Sequence, residues 1–289
     1  MRLWFGLFAL IAFLGTTMAA DTIPATGGNI ELTPMAHAHV QIEFGGKVIH
    51  IDPNPQALLA TAKPADIVLI TDIHGDHMDP ASIDRIKKAT TIYVAPPALA
   101  DRFPGKTEVI KNGETKTVDG VQIQAVGAYN MVRGPAAGRF YHDKGRGNAY
   151  ILTLGGQRIL FTGDTECTPE IKALTNISVA FVTMNLPFTM PPDEAAACVK
   201  AFKPRIVYPY HYSQNGLEPA NKNQMDFAAA MKGFAGVEVR TPDFYPPPPA
   251  AGRGGRGAGG GRGAAPAAPP LAPPAAPPAA PPAGRGRGN

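Results

Sequence analysis

Asp66-Ile67-Val68-Leu69-Ile70-Thr71-Asp72-Ile73-His74-Gly75-Asp76-His77-Met78-Asp79-Pro80 passes at Thr71 from an unbroken apolar run to a loop crowded with ionisable groups. The apolar half reads as a β-strand covered on both faces, the kind found in parallel sheets flanked by helices. In the loop, Asp72, His74, Asp76 and His77 place four metal-binding groups within six residues. Loops held by rigid strands are where catalytic groups concentrate, and Gly75 permits the tight turn through which the four can converge. Two imidazoles with two carboxylates suit a borderline divalent ion, Zn first, with Mn or Fe also accommodated. A polar loop capping the helix that starts near Pro80, with Asp79 as its N-cap, is the alternative. It accounts for Asp79 and leaves the other four unexplained.

Outward from this stretch, strands and helices alternate. Val40 to Phe44 and Lys47 to Ile51 flank Gly45-Gly46 and read as a hairpin. Pro80 to Lys88 reads as a helix and Thr91 to Ala95 as a strand. Further strands are expected over Val121 to Val126, Asn148 to Leu154, Arg158 to Thr162, Val179 to Thr183, Ile206 to Pro209 and Val237 to Val239. Helices are expected over Thr168 to Leu174, Asp193 to Phe202 and Asn223 to Lys232. Hairpins come early in each half and β-α units follow, which predicts one α/β domain, a sandwich of two sheets with helices outside.

The ends read differently. Met1-Arg2 followed by an uncharged run from Leu3 to Gly15, with Ala19 and Ala20 before Asp21, has the form of a secretory leader over residues 1–20. The run is too short for the roughly 20 residues of a membrane span, so export to the periplasm or medium is expected, with no stable span after cleavage. From Tyr245 to Asn289 the chain is almost wholly Pro, Ala, Gly and Arg, with Leu271 its one sizeable aliphatic residue. A segment with so little to bury cannot offset the entropy of ordering, so residues 245–289 read as a disordered spacer or surface tether. The folded domain is then residues 21–244. Formal charge is +4 overall, but six of the arginines lie in the two end segments, leaving 21 basic against 23 acidic groups in the body. No nucleic-acid partner is expected for a slightly acidic body. Cys167 and Cys198 allow one disulfide in an oxidising compartment, and their spacing is not that of a redox or zinc pair. Oligomeric state is not legible.

Asp72-Ile-His74-Gly75-Asp76-His77 resembles the HxHxDH signature of the metallo-β-lactamase superfamily, with Asp in place of the first His. Three further segments follow in the family's order. Gly163-Asp164-Thr165 after a strand resembles the bridging-Asp motif, and Pro209-Tyr-His211-Tyr the last His-bearing segment. His37-Ala-His39-Val with Phe44 to Pro53, and Met184 to Met190, are similar to the branch of ascorbate-6-phosphate lactonase-like hydrolases. The resemblance covers roughly residues 30–244 and implies a four-layer αββα sandwich of two mixed β-sheets with helices on the outer faces.

Carried over residue by residue, the resemblance implies that Asp72 and His74 bind a first ion and that Asp76, His77 and His211 bind a second, with Asp164 bridging. The family's additional His before the bridging Asp has no plain counterpart. Tyr129-Asn130 stands near its place; His142 is a candidate for it, with a surface-loop histidine as the other reading. One or two ions would hold a water of lowered pKa for attack on an ester, lactone or phosphoester of a small-molecule substrate. Asp76 and Asp164 are the catalytic candidates, positioning that water and able to take its proton. A metal-holding binding protein without catalysis is the competing class, and a β-lactamase proper a third reading. Asp52, ending a strand, is expected to orient a ligand His. His37 and His39 alternate and read as sharing one face, either lining the mouth of the site or standing as plain rim histidines, and His50 reads as packing. Lys144 and Arg146 read either as contacts for an anionic substrate or as solvated loop charges. No GxSxG, Cys/His pair or dinucleotide fingerprint competes.

Overall fold

The computed structural model describes residues 20–55, 59–103, 105–213 and 221–245. The expected leader therefore lies outside the described residues except for Ala20, and the expected tail except for Tyr245. The first half of the body forms one sheet in strict sequence order: β1 (Asp21–Ala25), β2 (Gly28–Ala36), β3 (His39–Phe44), β4 (Lys47–Ile51), β5 (Ala65–Leu69), β6 (Lys87–Ala95) and β7 (Thr107–Val109). The second half forms the other, again in order: β8 (Thr115–Val118), β9 (Val121–Ala128), β10 (Gly147–Leu154), β11 (Gln157–Phe161), β12 (Val179–Thr183), β13 (Ile206–Tyr210) and β14 (Glu238–Val239). In each sheet the early strands pair antiparallel and the later ones parallel. Tight turns serve the first kind of pairing, and crossovers are needed for the second.

Strand alternation divides the side chains between layers. Ile67 and Leu69 of β5 join Val40, Ile42, Ile49 and Ile51 in the core that also takes Ile123, Ile151 and Phe161 from the second sheet. Val68 and Ile70 point the other way, onto Ile83 and Ile86 of α1 (Pro80–Ile86). That two-sided burial is why the run 66–70 is continuously apolar. On the second sheet Phe161, Phe181 and Tyr208 stack in register across β11, β12 and β13, ring centroids 4.6 and 4.7 Å apart, each pair worth about 1 kcal/mol beyond its buried area. The remaining helices are α2 (Pro169–Lys172), α3 (Pro192–Phe202) and α4 (Lys222–Met231). Two mixed sheets with few helices make the αββα sandwich that the resemblance implied.

The alternation left four strands unread. β1 and β2 contain Pro24 and Pro34, which argue against a regular strand; the structure accommodates them on an edge strand and beside a register shift between Pro34 and Ala36. β7 and β8 are short, and Val118 is the one buried residue in them. At the other end, Phe244 is fully buried and Tyr245 packs against Tyr212, so Tyr245 belongs to the body and not to the tail. The reason is its aromatic ring, which the surrounding prolines obscure. Cys167 and Cys198 form a disulfide with Cα atoms 5.7 Å apart, tying the segment after β11 to α3.

Candidate metal centre

The site lies at the C-terminal ends of β4, β5, β11 and β13, where the two sheets touch: the Asn148 amide donates to Thr71 O at 2.9 Å. Two glycines permit this approach. A Cβ on Gly163, whose φ is +60°, would stand 2.8 Å from Thr71 Cβ. One on Gly147 would stand 3.0 Å from Thr71 O and 3.1 Å from Asp72 Oδ1. Any side chain at either place would push the halves of the site apart.

Asp52 is the buried anchor of the first half. Its carboxylate accepts from the Thr71 amide (2.7 Å), the Thr71 hydroxyl (2.6 Å) and His77 Nδ1 (2.9 Å). Burial pushes the Asp52 carboxyl up, while His77 and Thr71 pull it back. In the second half, Glu166 takes over the same task. It accepts from the amides of Met131, Val132 and Arg133 at 2.8–3.0 Å and from Asn130 Nδ2 at 3.2 Å. The Asn130 oxygen is identified by its neighbour: the His142 amide donates to Oδ1 at 2.8 Å, so His142 Nδ1, at 2.7 Å from the same oxygen, must also donate.

These contacts fix tautomers. Nδ1 of His77 gives its hydrogen to Asp52, and Nδ1 of His142 gives its hydrogen to Asn130, so in each neutral ring Nε2 carries a bare lone pair. Both Nε2 atoms point at Asp164 Oδ2, at 3.3 and 3.1 Å. His211 Nε2 stands 3.3 Å from Asp164 Oδ1 and 3.3 Å from His77 Nε2. Asp164 Oδ1 and His211 Nδ1 are buried with no hydrogen-bond partner among the described residues. Three imidazoles converging on one buried carboxylate, with Asp164 Oδ1 left unpartnered, describe a place that either protons or a cation can fill, and the fit to a divalent ion is good.

Donor atoms fall into three overlapping groups, each within 4.8 Å: Asp72, His74, His142 and Asp164; His77, Asp164 and His211; and His37, Asp76 and His211. All six residues expected from sequence are thus drawn together, and His142 stands with Asp72 and His74. Asn130 is not in their group; it orients His142 from behind. Asp76 reaches toward His211 (3.6 Å) and His77 (4.0 Å) and lies closest to His37, at 3.0 Å. Arg146 donates to Asp72 through Nε (3.3 Å) and Nη2 (3.2 Å), so it is not the solvated loop charge that was one of its two readings. Lys144 pairs with Glu170.

Without an ion, protons hold the cluster together. At His77 burial lowers basicity, but Asp164, Asp52 and Asp76 outweigh it and raise the pKa well above the ordinary value. Asp164 is held well below the carboxylate range, its burial overridden by His211 and His77. Asp72 is lowered to about 2, burial being outweighed by the hydrogen bond from His74 and the nearby His77. His37 is lowered to about 4, chiefly by burial and by His211.

His37 and His39 do not share a face. His37 turns back at φ 56°, while His39 opens β3, where its Nε2 meets His50 Nδ1 at 2.8 Å and His50 Nε2 donates to Lys63 O. Alternation fails here because the chain between them is not extended. Tyr210, next to His211 in the chain, reaches the site, its hydroxyl accepting from the Gly163 amide at 2.9 Å. The cleft of about 260 Å³ is lined by His74, Asp76, His142, Asp164, Asn185 and Phe188. Asn185 and Phe188 carried no signal in the sequence beyond their membership of the 184–190 segment.

Comparison with known proteins bears on this arrangement. The family described as Beta-lactamase superfamily domain matches residues 31–211. A UPF0173 metal-dependent hydrolase from Pyrococcus abyssi is 33% identical over 221 residues, 72% of this chain and 95% of that one. Among solved structures, a protein described as a metal-dependent hydrolase from Parabacteroides distasonis shares 35% identity at a TM-score of 0.69, over 78% of this chain and 99% of its own. A metallo hydrolase from Ignicoccus hospitalis, at 22% identity and a TM-score of 0.59 over 74% of this chain and 96% of its own, shares the fold.

Proposed function

Because the chain belongs to the metallo-β-lactamase superfamily and is a metal-dependent hydrolase of that fold, we propose that it hydrolyses a small ester, lactone or phosphoester in the cleft above Asp164. The observation that carries this reading is the convergence of Nε2 atoms from His77 and His142 on Asp164, with His211 facing the same carboxylate. Asp72, His74, His142 and Asp164 would hold one ion, and His77, His211, Asp164 and Asp76 a second. The mixed N/O donor set suits Zn, with Mn or Fe as the competing occupants. When bound, such ions lower the pKa of water and polarise the oxygen of the scissile group.

The chain's own residues do the rest. Asp164 is buried and belongs to both groups, so it sets their spacing. Asp76, with 41% of its side chain exposed, faces the cleft. Its burial is outweighed by His77, His211 and His37, which keep the carboxyl far below the usual range. Facing the cleft from beside His211 and His77, this carboxylate is placed to hold the attacking water. Phe188 and Asn185 close one side of the cleft, the first excluding water and the second offering an amide to the substrate. Export fits the same reading, since the Cys167–Cys198 disulfide is at home in an oxidising compartment; a mature N-terminus at Asp21 in extracytoplasmic fractions would support it, and an intact leader on cytoplasmic protein would refute it.

The test is a panel of simple esters, lactones and phosphodiesters, with nitrocefin alongside, assayed on protein stripped by chelator and then reloaded with Zn, Mn or Fe. Turnover that disappears with the metal and returns with it supports the proposal. Absence of turnover on every class by the reloaded protein overturns the substrate assignment.

A further inference from the structure

Three short contacts run in series beside the cluster. Tyr245 Oη lies 2.8 Å from Ser213 O and 2.7 Å from His37 Nδ1, and His37 Nε2 lies 3.0 Å from Asp76 Oδ2. Each joins two electronegative atoms and therefore needs a positive centre between them. A neutral phenol and a neutral imidazole supply two hydrogens for three contacts. Ser213 O has no hydrogen to give, so the Tyr245 hydroxyl donates to it and accepts from His37 Nδ1. Nε2 of His37 is then left facing the Asp76 carboxylate, a contact that either a proton or a cation can bridge as the third positive centre.

We infer that this centre is a divalent cation, and that His37 Nε2 is a ligand to the ion it would share with Asp76 and His211. Ligand atoms of these three residues lie within 4.8 Å of one another. The His37 ring is 2% exposed and sits 3.8 Å, centroid to centroid, from that of His211. Backbone geometry marks the pair independently. His37 (φ 56°) and His211 (φ 47°) both adopt the left-handed conformation that side chains disfavour, and the His211 amide donates to His37 O at 3.0 Å. Strain of this kind persists where surrounding structure enforces it, and it concentrates at functional sites. Two strained histidine turns bonded to each other aim both rings into one space. Tyr245 is the positioning residue: its oxygen fixes the tautomer and the ring orientation, as acceptors behind metal-bound histidines do.

This inference rests on the metal reading of the site and is tested apart from it. The full chain, stripped of metal, is titrated with Co(II). Metal per chain, affinity by chelator competition and the visible d–d spectrum are recorded for wild type, His37→Ala, His37→Gln and Tyr245→Phe. His37→Ala and His37→Gln are expected to lose more than the roughly 10–100-fold in affinity that marks loss of a supporting partner, and to shift the d–d bands. Tyr245→Phe is expected to fall within that range with the bands in place. Because Gln keeps most of the volume of the ring, a misfolded Ala variant does not remove the test; far-UV circular dichroism of the metal-free proteins identifies that case. Unchanged stoichiometry, affinity and spectrum in His37→Gln would overturn the inference while the hydrolase reading stands. Wild type that takes up no Co(II) would overturn both.

Discussion

The two donor groups around Asp164 differ in what stands behind them. His77 is backed by a fully buried carboxylate, Asp52, and His77, Asp164 and His211 are each no more than 5% exposed. In the other group, His74 has 46% of its side chain open to solvent, and Asp72 already carries a cation, the Arg146 guanidinium, across both its oxygens. Donor chemistry is similar in the two places. The surroundings differ, and they predict a retained ion in the sealed group and an exchangeable one in the open group. The Asp that replaces the first histidine of the family pattern is thus the residue that admits Arg146, since it offers two charged acceptor oxygens where a neutral imidazole offers one uncharged nitrogen.

The largest effect should come from the residue that joins the groups. Asp164→Ala is expected to lower kcat/KM on any substrate found by about 10³-fold or more, equivalent to about 4 kcal/mol of lost stabilisation, with metal content falling at both positions. An Asp164→Ala protein that still fills one group and turns over would break the symmetry assigned to this carboxylate. Acid comes next. Protons compete with metal for Nε2 of His77, so metal release on acidification is expected, and a scaffold reference is needed to separate that from unfolding. His50 provides it: burial lowers its pKa to about 4, against 6.5 in the unfolded chain. The neutral ring contributes stability that is present above pH 6.5 and is lost as pH falls toward 4, up to about 3 kcal/mol. The melting temperature of metal-free protein should drop across that window, and His50→Gln should flatten the slope.

A smaller effect separates the groups. Asp52→Ala is expected to weaken the sealed ion by about 10–100-fold while leaving the open one unchanged, as read by chelator competition; equal losses at both would dissolve the distinction. The smallest is at Arg146. Removing its pairing with Asp72 by Arg146→Met should tighten the open ion about fivefold, the equivalent of about 1 kcal/mol for a partly buried pair. Weaker binding instead would mean that the guanidinium holds Asp72 in place for the metal.

Much of this was legible before any coordinates. The run 66–77 is legible because an apolar strand buried on both faces ends abruptly in ionisable residues, whereas Asp164 and His211 are legible only through the resemblance of their segments to the family's motifs. Asp52 was legible as the carboxylate ending an apolar strand. His37 and Tyr245 were not. His37 looked like one of an alternating pair, and its separation from His39 depends on a left-handed turn that periodicity does not encode. Tyr245 looked like the edge of a proline-rich segment, and its role depends on a partner 208 residues away. Asn130 is marked in the sequence only by its place, and its contact with His142 is not legible there, because the tautomer it sets is a matter of which atom faces which.

Each sheet is built from one half of the chain, and neither half owns a complete set of donors. Residues before 110 contribute Asp72, His74, Asp76 and His77, and residues after 110 contribute His142, Asp164 and His211. An ion bound among them acts as a rivet between two otherwise self-contained ladders, so its binding free energy is also adhesion between the halves. Cut at the connection between β7 and β8 and produced as two polypeptides, the fragments should reassemble at lower concentration with a divalent ion than with a chelator.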